Sequence, residues 1–125
     1  MLKHLENENR YIAHLENITE NDARKAYFYI IGASACLKNY VCYPSEHGYI
    51  KDFRFEYNKN WYFAFIPNQK WLLFYFRLPC QNNPKYSREA IVNNFPEVDE
   101  NNNGEYKLSI LNIDMAVRVM SYIAG

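Results

Sequence analysis

The apolar positions of this chain change period once. Before Tyr40 they recur at helical spacing, and after Tyr49 they alternate as strands do. Leu2, Leu5, Ile12 and Leu15 form a weak stripe that predicts a first helix over roughly Leu2 to Asn17. The tetrapeptide His-Leu-Glu-Asn at His4 recurs at His14, which puts both copies near one face of that helix, about three turns apart. Thr19 with Asp22 three positions on reads as a capped start for a second helix reaching about Lys38. Its middle is apolar almost all round, so it is expected to be the most buried helix.

From Tyr49 to Tyr57, Phe53, Phe55 and Tyr57 lie on one side of a strand and Asp52, Arg54 and Glu56 on the other. Asn60 to Pro79 reads as a hairpin turning at Pro67 to Lys70. Pairing Ile66 with Trp71 sets Ala64 against Leu73 and Tyr62 against Tyr75. Trp61, Phe63, Phe65, Leu72, Phe74, Phe76 and Leu78 then face the core, and Tyr62, Ile66, Trp71, Leu73, Tyr75 and Arg77 face the other way. Ser87 caps a short helix that Pro96 stops, Glu105 to Leu111 alternates as a fourth strand, and Asn112 caps a closing amphipathic helix. The expectation is an α+β fold: two N-terminal helices, then an antiparallel meander in β-β-β-α-β-α order with helices packed on a four-stranded sheet. One domain over 1–125 is expected, made of a helical pair (1–40) and a sheet module (49–125).

Charge removes one class of partner. Fourteen basic and fourteen acidic side chains cancel, so no global field would hold the chain to a polyanion or an anionic membrane. The longest apolar run, Ala26 to Leu37, is too short to span a bilayer. With no secretory signal pattern at the start and three unpatterned cysteines (Cys36, Cys42 and Cys80), the expected location is cytoplasmic, with reduced thiols.

The run from Phe53 to Ile123, with its Pro67-x-Gln69-Lys70 turn, the Leu72 to Phe76 strand, the Gly104 to Ile110 strand and the acid-started helix from Asp114, resembles a bacterial domain of unknown function often labelled "predicted transport protein". The resemblance implies a small β-sheet module found alone or attached to nuclease-like and other genome-defence proteins, and it brings no agreed catalytic residues. Two features depart from the family pattern. The segment before Gly104 lacks the usual His-Trp-Gly type turn, and Lys70 stands without following lysines.

Candidate chemistry is sparse. Glu105 and Lys107 have the Glu-x-Lys spacing of metal-dependent nucleases, with Glu97, Asp99 and Glu100 upstream in what reads as a turn. The same spacing is common on solvated strand faces. Cys36, Cys42 and His47 are too few and too scattered for a zinc site, and nothing local activates a Cys-His pair. Cys36 reads as a helix core residue. Neither a cofactor nor a metal site is expected. Trp71, Tyr75, Arg77, Tyr62 and Arg54 on the second sheet face form the better candidate, since aromatics with arginine anchor protein partners and also stack bases. The alternative is that the N-terminal helices cover this face, or that the first helix docks a second copy as a homodimer. The expected function is that of a small non-catalytic protein binding a protein partner, by analogy in bacterial or phage defence or counter-defence. A nucleic-acid-binding module and a metal-dependent nuclease are the alternatives.

Overall fold

The computed structural model describes residues 1–3, 8–45 and 52–125. These form four helices and a six-stranded antiparallel sheet. In chain order they are α1 (Glu8–Asn17), α2 (Asn21–Ala35), β1 (Val41–Pro44), β2 (Phe53–Tyr57), β3 (Asn60–Pro67), β4 (Leu72–Phe76), α3 (Arg88–Asn94), β5 (Asp99–Glu100), β6 (Tyr106–Ile110) and α4 (Ile113–Ala124), with two short 3-10 turns between β4 and α3. The sheet runs β1-β2-β3-β4-β6-β5. The α+β class and the two leading helices are as expected. The four-stranded sheet is not, because β1 and β5 are too short to leave an alternating signature. His4–Asn7, with the first His-Leu-Glu-Asn copy, and the expected strand start at Tyr49 lie outside the described residues.

Every helix packs on the same side of the sheet. Tyr27 of α2 meets Phe65 edge-on at 5.9 Å, Tyr11 of α1 lies 6.4 Å from Phe53, and Phe95, which caps α3, lies 5.6 Å from Phe76. Val119, Met120 and Ile123 of α4 are buried in the same cluster. Phe53, Phe55, Phe63, Phe65, Phe74 and Phe76 form its floor, all fully buried. Among the described residues, therefore, no helix covers the second face.

Several local expectations change. The buried stripe of α1 is Tyr11, His14, Leu15 and Ile18, spaced i, i+3, i+4, i+7, while Ile12 points outward. His14 sits on that stripe because Nδ1 shares a 2.9 Å hydrogen bond with the buried Tyr27 hydroxyl, which satisfies both polar groups inside the core. Leu2 belongs to no helix. It bridges Cys42 in parallel, and Lys3 N–H donates to the Cys42 carbonyl at 2.9 Å. The residue at the start of α2 is Glu20, without a side-chain cap; Thr19 instead donates its hydroxyl to the Gln69 carbonyl. Ser87 and Asn112 do cap α3 and α4, accepting from Ala90 N–H at 3.2 Å and Met115 N–H at 3.0 Å.

The β3–β4 hairpin turns one residue later than its composition implies, which shifts the pairing by two. Asn68 N–H donates to the Trp71 carbonyl, and Ile66 opposes Leu73, Ala64 opposes Tyr75 and Phe63 opposes Phe76. An even shift leaves the side chains of the residues paired here, Phe63 to Pro67 and Leu72 to Phe76, on their expected faces. Leu78 falls outside the strand: Pro79 opens a 3-10 turn there and leaves Leu78 48% exposed.

The β2–β3 turn is tighter. Tyr57 pairs with Asn60, so Asn58 and Lys59 form a two-residue loop with φ of 50° and 67°. Both central residues of such a turn need positive φ, and the second is best filled by glycine. Lys59→Gly is accordingly expected to stabilise the protein by about 0.5–1 kcal/mol in urea unfolding, the relief of left-handed strain exceeding the entropy glycine adds to the unfolded chain. An unchanged or lower midpoint would show that Lys59 carries no strain.

Candidate functional site

The tight turn has a consequence for the open face. Pairing Tyr57 with Asn60 would set Phe55 against Tyr62, yet Phe55 opposes Phe63. The extra residue is absorbed as a β-bulge opposite Phe55 and Glu56. A one-residue insertion exchanges the two faces beyond it, so Trp61, expected in the core, emerges on the open face. Tyr62, expected on that face, turns inward against Tyr57 at 5.0 Å, Phe63 at 6.1 Å and Tyr40 at 6.4 Å. Composition and alternation alone do not show this exchange. The demand that Phe55 and Phe63 both be buried across a two-residue turn does.

Trp61 is the centre of a side-chain network on that face. The Arg54 guanidinium stacks 3.3 Å from its ring centroid, and that of Arg77 lies at 5.0 Å. Trp61 Nε1–H donates to the Tyr43 hydroxyl at 3.1 Å, and Arg77 Nη1 donates to the Trp61 carbonyl at 3.2 Å. Each arginine is itself neutralised. Arg54 Nε lies 3.1 and 3.2 Å from the two Asp52 carboxylate oxygens, and Arg77 Nε donates to Glu105 Oε2 at 3.2 Å. Lys3, 3.9 Å from Glu56, covers the Tyr43 ring. Burial, reinforced by the Glu56 carboxylate, holds the Tyr43 hydroxyl above the usual phenol range.

The register extends this network into a continuous surface. Tyr43, Arg54, Ala64, Tyr75, Lys107 and Asp99 form one cross-strand row, and Ile66 beside Leu73 begins the next. Ile66, Leu73, Tyr75 and Arg77 are half-buried, and Trp71, at the hairpin end, is 37% exposed. Of the expected binding residues, Arg54, Tyr75 and Arg77 therefore share this face, Trp71 stands at its rim, and Tyr62 does not belong to it.

The Glu105 and Lys107 pair is brought to the same face but into other contacts. Both Glu105 oxygens accept from N–H donors, Oε2 from Arg77 and Oε1 from Asn101 Nδ2 at 3.1 Å. The upstream acids are not in a bare turn. Asp99 and Glu100 form β5, Glu100 pairs with Arg88, and Glu97 with Arg118. Among the described residues no group of three or more His, Cys, Asp or Glu side chains could hold a metal ion.

The thiols are separated and differ in access. Cys36, expected in the helix core, is exposed at the C-cap of α2, whereas Cys42 and Cys80 are fully buried. Burial pushes both buried thiols up to about 12. A disulfide reagent at neutral pH is thus expected to titrate one thiol in the native protein and three after denaturation. The same shifts set a pH limit. Up to about pH 9, the ordinary thiol value, native and unfolded chains hold these protons equally. Above it the unfolded chain loses protons that the native chain keeps, so stability is expected to fall progressively between about pH 9 and 12. A flat urea midpoint across that range would contradict the burial of both groups.

No protein-family model, curated protein or solved structure matches the chain.

Proposed function

We propose that this chain is a non-catalytic binding protein that docks a protein partner on the open face of its sheet, around Trp61, Tyr75, Arg77 and Arg54. The observation that carries the reading is the distribution of the helices. An antiparallel sheet commonly leaves one face to water, but such a face is ordinarily polar. Here it presents Trp61, Ile66, Leu73 and Tyr75, with Trp71 at its rim. Tryptophan, tyrosine and arginine dominate the energetics of protein interfaces. Charge favours protein over nucleic acid, since Arg54 and Arg77 already face Asp52 and Glu105 and leave little positive field for a phosphate backbone. The defence and counter-defence setting implied by the family likeness gives bacterial and phage proteins as the first partners to test.

The test compares tagged wild-type protein with Tyr75→Glu and Phe28→Ser. Phe28 is an exposed aromatic on α2, on the opposite side of the molecule. A stoichiometric complex held by wild type and Phe28→Ser but lost by Tyr75→Glu supports the reading. Retention by Tyr75→Glu would overturn it. So would salt-sensitive quenching of tryptophan fluorescence by a single-stranded oligonucleotide, in favour of a nucleic-acid role.

A further inference from the structure

The turn between β5 and β6 joins a chemically labile peptide step to this face. Asn103–Gly104 is the one Asn-Gly step in the chain. Asn103 is exposed and Gly104 has φ of 79°. Without a Cβ, the glycine nitrogen can reach the side chain of the residue before it. We propose that Asn103 deamidates to isoaspartate in the folded protein and thereby loosens the Arg77 clasp on Trp61. Gly104 N attacks Asn103 Cγ, a new C–N bond forms as the Cγ–Nδ2 bond breaks, and the proton lost by Gly104 N, relayed through solvent, completes the ammonia that leaves. Water then opens the succinimide, giving aspartate, or isoaspartate when the main chain is left running through the former side-chain carboxyl carbon. Only water is consumed. Gly104 N–H is held by one 3.2 Å hydrogen bond to the Asn101 carbonyl, and opening this turn leaves the β4–β6 ladder from Tyr106 to Ile110 in place.

The turn is organised by Asn101, whose N–H donates to the Glu105 carbonyl at 2.8 Å and whose side chain closes the loop from within. Asn101 Oδ1 accepts from Asn103 N–H at 2.9 Å and from Glu105 N–H at 3.0 Å, while Asn101 Nδ2 donates to Glu105 Oε1. Isoaspartate inserts one backbone atom between those two N–H groups, so one oxygen can no longer hold both. It also adds a carboxylate two residues from Glu105, taking the balanced net charge to one negative. Glu105, released from Asn101, orients Arg77 less firmly, and Arg77 stands 5.0 Å from the Trp61 ring. The modification chemistry is independent of what the face binds; only its regulatory consequence rests on the proposed partner reading.

The test needs no partner. A Trp71→Phe protein, in which Trp61 is the remaining tryptophan, is aged folded in mildly alkaline buffer beside the same protein carrying Asn103→Ala. Peptide mapping with isoaspartate-specific fragmentation should show Asn103 converting several-fold faster than Asn101 and Asn102. Trp61 fluorescence should shift in step with conversion, and only where Asn103 is present. An amide retained at Asn103 while the denatured chain converts would overturn the site. Conversion with an unchanged Trp61 signal would overturn its link to the face.

Discussion

Replacing Phe63 by alanine is expected to lower unfolding free energy by about 3–5 kcal/mol, the cost of deleting a fully buried aromatic ring. Phe63 lies at the centre of the aromatic floor, where β2, β3 and β4 meet Tyr40 and the 3-10 turn at Tyr86. Its ring lies 5.0 Å from Tyr86, 5.8 Å from Phe74, Phe76 and Tyr40, and 6.1–6.2 Å from Tyr62 and Phe55. These neighbours come from separate elements and cannot collapse together into the hole, because Phe55, Phe74 and Phe76 are fixed by the ladder on either side. Domains of this size hold only about 5–15 kcal/mol in total, so Phe63→Ala should move the urea midpoint far toward zero at an unchanged slope. Phe63→Leu keeps most of the volume and should cost about 1–1.5 kcal/mol. An alanine variant losing less than the leucine variant would mean that the aromatic floor is loosely packed.

The second large effect concerns the open face. Once a partner is in hand, Tyr75→Ala is expected to weaken binding by about 2 kcal/mol, roughly thirty-fold, as a central aromatic anchor does. Tyr75 stands at the middle of the row, between Ala64 and Lys107. Burial, with Glu105 nearby, holds its hydroxyl above the usual phenol range, so it presents a neutral donor at neutral pH. Stability should change far less than for Phe63→Ala, since Tyr75 is half-buried and lies outside the core cluster. Isothermal titration of the purified pair separates the two effects. Full affinity in Tyr75→Ala would move the binding surface off this face.

Much of this architecture is legible in residue order. The alternation of Phe53 with Phe55, of Phe63 with Phe65, and of Leu72, Phe74 and Phe76 specifies which side of β2, β3 and β4 is buried, because a strand's period of two leaves no other arrangement. The caps at Ser87 and Asn112 locate α3 and α4 because a short polar side chain there meets the free N–H groups of the first turn. The Tyr11, His14, Leu15, Ile18 stripe is present too, but a histidine hides it. The hydroxyl of Tyr27, on another helix, is a partner that helps make burial of His14 tolerable.

Local period and composition were enough to determine the α+β class, the aromatic floor and the balance of charge. Three further features were decided only when the chain folded. All four helices lie on one side, because their apolar faces compete for the same phenylalanine floor. Trp61 and Tyr62 exchange faces, because a two-residue turn and two buried phenylalanines demand a bulge between them. Arg54 and Arg77 are brought to one indole although twenty-three positions (77 − 54) separate them in the chain, and that juxtaposition depends on strand order, which no local pattern encodes.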